Sequence, residues 1–126
     1  MFQELTRASM HEQVRRHLAQ GDYRRADALC EQVLATAPDD VTLRRMHAAL
    51  LTESGQLARA AQAWSLVAAA EPTVEAWSRL GVCLAHLGEH AQALPAFEQA
   101  LQLAADAFLV RLCYAESLDA LGRGDD

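Results

Sequence analysis

Four glycines keep time along this chain. Gly21, Gly55, Gly88 and Gly122 are separated by 34, 33 and 34 residues. Other positions hold the same step. Ala26, Ala60 and Ala93 each follow a glycine by five residues, and Cys30, Trp64 and Phe97 each follow by nine. Pro38 and Pro72 follow by seventeen, with Ala105 in the third such slot. A register near 34 residues is the pattern of stacked helix pairs. One pair cannot bury its own apolar face, so neighbouring pairs stack into a continuous core. The expected fold is all-α, a stack of antiparallel helix pairs that works through its surface.

The residues around each glycine agree. Met10, Val14, His17 and Leu18 recur at helical spacing before Gly21, and Ala26, Leu29, Cys30, Val33 and Leu34 do so after it. Gly21 fits the left-handed residue just past a helix end, and Asp22 fits the cap of the next helix. Ser54-Gly55-Gln56 and Leu87-Gly88-Glu89 read the same way. The second helix of each pair ends at Ala37-Pro38-Asp39-Asp40 and at Glu71-Pro72-Thr73, where a proline stop precedes a capping carboxylate or hydroxyl. Ala104-Ala105-Asp106 lacks the proline, and Asp106 is the expected cap there. The spacing predicts seven helices over about 3–20, 23–36, 41–54, 57–70, 74–87, 90–103 and 107–121. Pro95 is expected to loosen the first turn of the sixth.

Composition narrows the class. The 126 residues suit one domain, taken as 1–126, with repeats at about 7–40, 41–73 and 74–106 and a terminal helix over 107–121. Eleven basic residues, all arginine, stand against seventeen acidic ones, for a formal charge of −6. Without a clustered basic run, neither a nucleic-acid partner nor an anionic membrane is expected. No apolar run is long enough to cross a bilayer, and the first residues lack a signal-peptide core, so the expected location is the cytoplasm. Cys30, Cys83 and Cys113 fit buried thiols in a reducing compartment.

The segment Val74-Glu75-Ala76-Trp77-Ser78-Arg79-Leu80-Gly81 resembles the W-x-x-L-G opening of a tetratricopeptide repeat. Gly88, Ala93, Phe97 and Ala100 continue that resemblance. The first repeat keeps Gly21, Tyr23, Ala26 and Pro38 but has Met10, Gln13 and Val14 in the opening slots. The second keeps Gly55, Ala60, Trp64 and Pro72, with Arg44, His47 and Ala48 there. The resemblance covers about residues 7–121. It implies a right-handed superhelical stack of three repeats plus a seventh helix, without catalytic activity or cofactor, that holds a peptide or helix of a partner protein in a concave groove.

By that resemblance the groove carries His11, Arg15 and Leu18 from the first repeat. Arg45, Ala49 and Thr52 come from the second, Arg79, Val82 and His86 from the third, and Leu109, Leu112 and Glu116 from the seventh helix. Arg15, Arg45 and Arg79 read either as a row for an acidic ligand or as ordinary solvated arginines paired with Glu53 or Glu75. Some family members grip a C-terminal carboxylate with a lysine, asparagine and arginine clamp. The matching positions here are His11, Arg15, Met46, Glu75 and Arg79; only Arg79 agrees, so that co-chaperone role is not expected. The resemblance also admits two other settings, the N-terminal domain of a larger bacterial sulfotransferase, glycosyltransferase or hydroxylase, and a small acidic secretion chaperone.

Other constellations carry less. His11, His17, His47, His86 and His90 form no paired set on one helix, and no metal site is expected. Arg123-Gly124-Asp125 spells an integrin-recognition tripeptide, a chance match in a cytoplasmic chain. Phe108, Leu109, Val110, Leu112, Cys113, Tyr114, Leu118 and Leu121 spread around the seventh helix beyond one stripe. Gly122 stays in phase with the turn glycines. Either further chain or a partner, including a second copy, is expected against this helix.

Overall fold

A computed structural model of the chain describes residues 2–122, with side chains from residue 7 onward. The tripeptide at 123–125 lies outside them. Among the described residues there are seven helices and no strands: α1 (Phe2–Ala19), α2 (Tyr23–Thr36), α3 (Val41–Glu53), α4 (Leu57–Ala70), α5 (Val74–His86), α6 (His90–Leu103) and α7 (Phe108–Ala120). Each helix packs against the next in sequence, and α5 also meets α7. The product is an all-α repeat solenoid, with odd-numbered helices along one side and even-numbered helices along the other.

The glycine ladder is a row of identical helix ends. At Gly21 the amide donates to the Leu18 carbonyl at 3.0 Å, and the Asp22 amide donates to the His17 carbonyl at 2.9 Å. Gln56 to Leu51 at 2.9 Å and Glu89 to Leu84 at 2.8 Å repeat the second bond. This pairing needs a left-handed residue between, which a side chain opposes. The four glycines have φ of 72°, 81°, 82° and 74°. Gly122 makes the first of the two bonds, to Asp119 at 2.9 Å.

The caps follow the register, with two corrections. Asp22, Asp40 and Thr73 each accept a backbone amide three residues on, from Arg25, Leu43 and Ala76. Asp106 does not cap α7. The cap slot lies fifteen residues before the glycine, where Asp40 and Thr73 sit, and in the last copy that slot holds Ala107, without a side-chain cap bond. Gln56 and Glu89 occupy cap positions but supply no side-chain cap bond. Gln56 instead accepts from Arg59 at 2.7 Å. Pro95 falls past the first turn of α6, which runs unbroken from His90 to Leu103.

Core positions repeat in step with the glycines. Ala26, Ala60 and Ala93 are fully buried, as are Cys30, Trp64 and Phe97. One cluster runs from Val14 through Leu43, Leu51 and Trp64 to Ala96. A second gathers Ala93, Phe97, Ala100 and Val110. Trp77 and Leu84 pack against both and join them. The small slots allow close approach. A Cβ on Gly81 would lie 2.5 Å from the Phe97 ring, so the ring rests on α5 backbone.

Candidate functional site

The odd-numbered helices carry every residue assigned to the groove. On α1, His11 turns toward its neighbours: its Nε2 lies 2.8 Å from Asp40 Oδ2, tying α1 to the cap of α3. Burial would raise the Asp40 carboxyl, but hydrogen bonds from His11 and the Leu43 amide, with the charges of His11 and Arg7, outweigh it and hold the group below its usual range. Arg15 is exposed, 3.8 Å from Glu12. Leu18 is half-buried against the main core.

On α3, Arg45 pairs with Glu71 at the end of α4. Ala49 and Thr52 are half-buried. Thr52 is held from two sides. Its hydroxyl donates to the Ala48 carbonyl at 2.8 Å and accepts the Trp64 indole N–H at 2.9 Å. On α5, the Arg79 guanidinium stacks 5.4 Å from the centroid of the Trp64 ring, with Nε 3.9 Å from Glu75. Thr52, Trp64 and Arg79 therefore form one connected unit across α3, α4 and α5. Val82 is half-buried against the Phe97 cluster, and His86 is exposed. On α7, Leu109 is 72% exposed and Leu112 46% exposed, beside exposed Glu116.

Arg15, Arg45 and Arg79 do not occupy equivalent repeat positions. They precede their glycines by six, ten and nine residues. Each has an exposed carboxylate beside it. Of the two carboxylates expected beside the row, Glu75 pairs with Arg79, whereas Glu53 accepts instead from the Tyr23 hydroxyl at 3.3 Å.

A denser charge network lies between α2, α3 and α4, and sequence spacing gives little sign of it. Arg59 grips Asp27 with two bonds, of 2.8 and 2.9 Å, and also binds Glu31. His47 Nε2 meets Asp27 Oδ1 at 2.7 Å. The Arg59 hydrogen bond is the largest influence on Asp27 and, with help from His47, holds its carboxyl low against the opposing effect of burial. Asp27, Glu31 and His47 bring possible metal-ligand atoms within 4.8 Å of one another. As the side chains stand, Arg59 supplies the countercharge to both carboxylates. Only the Asp27–Glu31 spacing of four hinted at this cluster; His47 and Arg59 reach it from other helices.

Comparison with known proteins agrees with this architecture. One tetratricopeptide repeat model matches residues 74–106, and a second matches residues 17–83. Among solved structures, MamA from MSR-1 shares 26% identity at a TM-score of 0.78, covering 86% of this chain and 63% of that one. MamA from AMB-1 shares 29% identity at 0.78, covering 86% and 65%. A further MamA structure at 18% identity and a TM-score of 0.87 shows likeness of fold alone. The chain thus spans about three fifths to two thirds of the MamA chains it matches. No curated protein sequence matches it.

Proposed function

We propose a function from one established premise: this chain belongs to the tetratricopeptide repeat family. A protein of this family is a protein-interaction scaffold, and the continuous helix stack described above suits that role. The finer reading is that the face of α1, α3, α5 and α7 holds a partner segment with acidic groups and a few apolar anchors.

The observation that carries it is the placing of Arg15, Arg45 and Arg79 on three successive odd-numbered helices. Their side chains are 57%, 42% and 50% exposed. Exposed ion pairs are worth little, so an incoming carboxylate can replace Glu12, Glu71 or Glu75 at small cost. Arg79 is held in place by the Trp64 ring, which lowers the cost of ordering it. Leu18, Val82, Leu109 and Leu112 offer the apolar contacts.

The test is affinity capture with mass spectrometry, wild type against the triple change Arg15→Glu, Arg45→Glu and Arg79→Glu. Proteins retained by the wild type should be lost from the variant. An unchanged set of retained proteins overturns the groove reading.

A second reading is favoured by α7. Phe108 and Leu109 are each 72% exposed and Leu112 46%, an apolar surface that would gain from a second copy. Sedimentation over a hundredfold concentration range tests it. A constant monomer overturns it, and the double change Phe108→Ser with Leu109→Ser should abolish any dimer.

A further inference from the structure

Opposite the proposed groove lies a cleft of 340 Å³, walled by α2 and α4 with α3 as its floor. We propose that this cleft is a second recognition site, for a short extended peptide segment that carries one aliphatic side chain and one carboxylate.

The cleft faces away from the groove. Its floor residues on α3 are Arg44, His47 and Leu51, whereas the groove residues on that helix are Arg45, Ala49 and Thr52. At 3.6 residues per turn the two sets point roughly 130° apart. A ligand in one site leaves the other free, and this inference does not depend on the groove reading.

The wall is apolar where Leu34 of α2 faces Ala63 and Leu66 of α4. Leu66 is 52% exposed, so its side chain gains from being covered. Two arginines line the cleft and differ in kind. Arg59 is held by Asp27, Glu31 and Gln56. Arg44 has its Nε fixed on the Pro38 carbonyl at 2.7 Å. No carboxylate of the described residues pairs with Arg44, so its terminal nitrogens keep their donors in a fixed orientation. His47 is engaged by Asp27 and does not compete. A carboxylate is the group that best complements a restrained, unpaired guanidinium.

Size sets the ligand's length. From Arg44 to Leu51 the floor spans seven helical steps, about 10 Å. That is about three extended residues at ~3.3 Å each. A leucine side chain against Leu34 and Leu66, with an acidic residue at Arg44, fills such a span.

The test uses the full chain, ¹⁵N-labelled, titrated with the tripeptide acetyl-Leu-Ala-Glu-amide and with its Gln counterpart as the uncharged control. The expected result is saturable amide shifts at Leu34, Arg44 and Leu66 with a Kd at or below about 1 mM. Affinity should fall at least tenfold for the Gln peptide, for Arg44→Gln and for Leu66→Ser. Leu66 is half out of the core, so its variant keeps the fold, which far-UV circular dichroism verifies. The triple-glutamate groove variant should titrate as wild type, which separates this site from the groove. Shifts confined to Thr52, Arg79 and their neighbours, equal response to both peptides, or no saturation by about 10 mM would each overturn the proposal.

Discussion

The Trp64 indole gives its N–H to the Thr52 hydroxyl at 2.9 Å, from a position that is 1% exposed. A buried N–H needs a partner, and Thr52 is placed to supply one. That hydrogen bond is made at the ring edge, and Arg79 lies over the ring itself. One side chain therefore joins the core to the proposed binding surface.

Replacing Trp64 separates these contributions. Trp64→Ala should lower stability by about 3–5 kcal/mol, the range for a large aromatic removed from a packed core. Thr52→Val keeps the volume but leaves the indole N–H unpaired, and should cost about 1–3 kcal/mol. Urea unfolding with constant m-value checks both. A loss below about 0.5 kcal/mol for Thr52→Val would mean that the hydrogen bond contributes nothing net.

Gly81 and Phe97 are matched in size. Gly81→Ala should destabilise by about 1–3 kcal/mol, because the added carbon would lie 2.5 Å from the ring. Phe97→Leu should also destabilise, through loss of aromatic contact. The double variant should be more stable than the sum predicts, since leucine vacates the space alanine needs. Strict additivity in the cycle would refute the steric account.

Acid should weaken the junction of α2, α3 and α4. Asp27 is held below its ordinary value of 3.8, chiefly by the Arg59 hydrogen bond. A carboxylate whose folded pKa is depressed adds stability that is complete above its unfolded pKa and lost as pH falls through the folded one. Asp40 behaves likewise. The urea midpoint should thus drop as pH falls below about 4, and Asp27→Asn should flatten that drop.

The thiols should react in order of burial. Desolvation raises the Cys30 thiol to about 12, and it is fully buried. Cys83 is raised too, first by desolvation. Cys113 is half-buried at the edge of the stack. In iodoacetamide labelling followed by peptide mass, Cys113 should be modified first, and Cys30 only as fast as its surroundings open. Equal rates at Cys30 and Cys113 would contradict this packing.

Local features were legible in the sequence because local rules fix them. The glycine turns, the caps at Asp22, Asp40 and Thr73, and the helix limits within two residues all rest on neighbours in the chain. The burial of Ala60, Trp64 and Phe97 followed from the period. Asp106 reads as a cap because it is acidic, yet the count from the glycine puts the cap slot one residue later, at Ala107. The Asp27–His47–Arg59 junction was not legible. Its members lie 20 and 32 residues apart and meet only when three helices pack. The engagement of His11 by Asp40, across 29 residues, was hidden for the same reason.

The large, fully covered side chains are not spread evenly. Trp64, Phe97, Leu43, Leu50, Leu51 and Val67 all belong to α3, α4 and α6, while Val14 is the one fully covered side chain described on α1. Each helix is braced mainly by its neighbours, and among the described helices packing is densest from α3 to α6 and thinner at α1, α2 and α7. In such a stack the outer described helices are held from one side alone, so local opening should begin at α1 and α7 and reach the turns between α3 and α6 last.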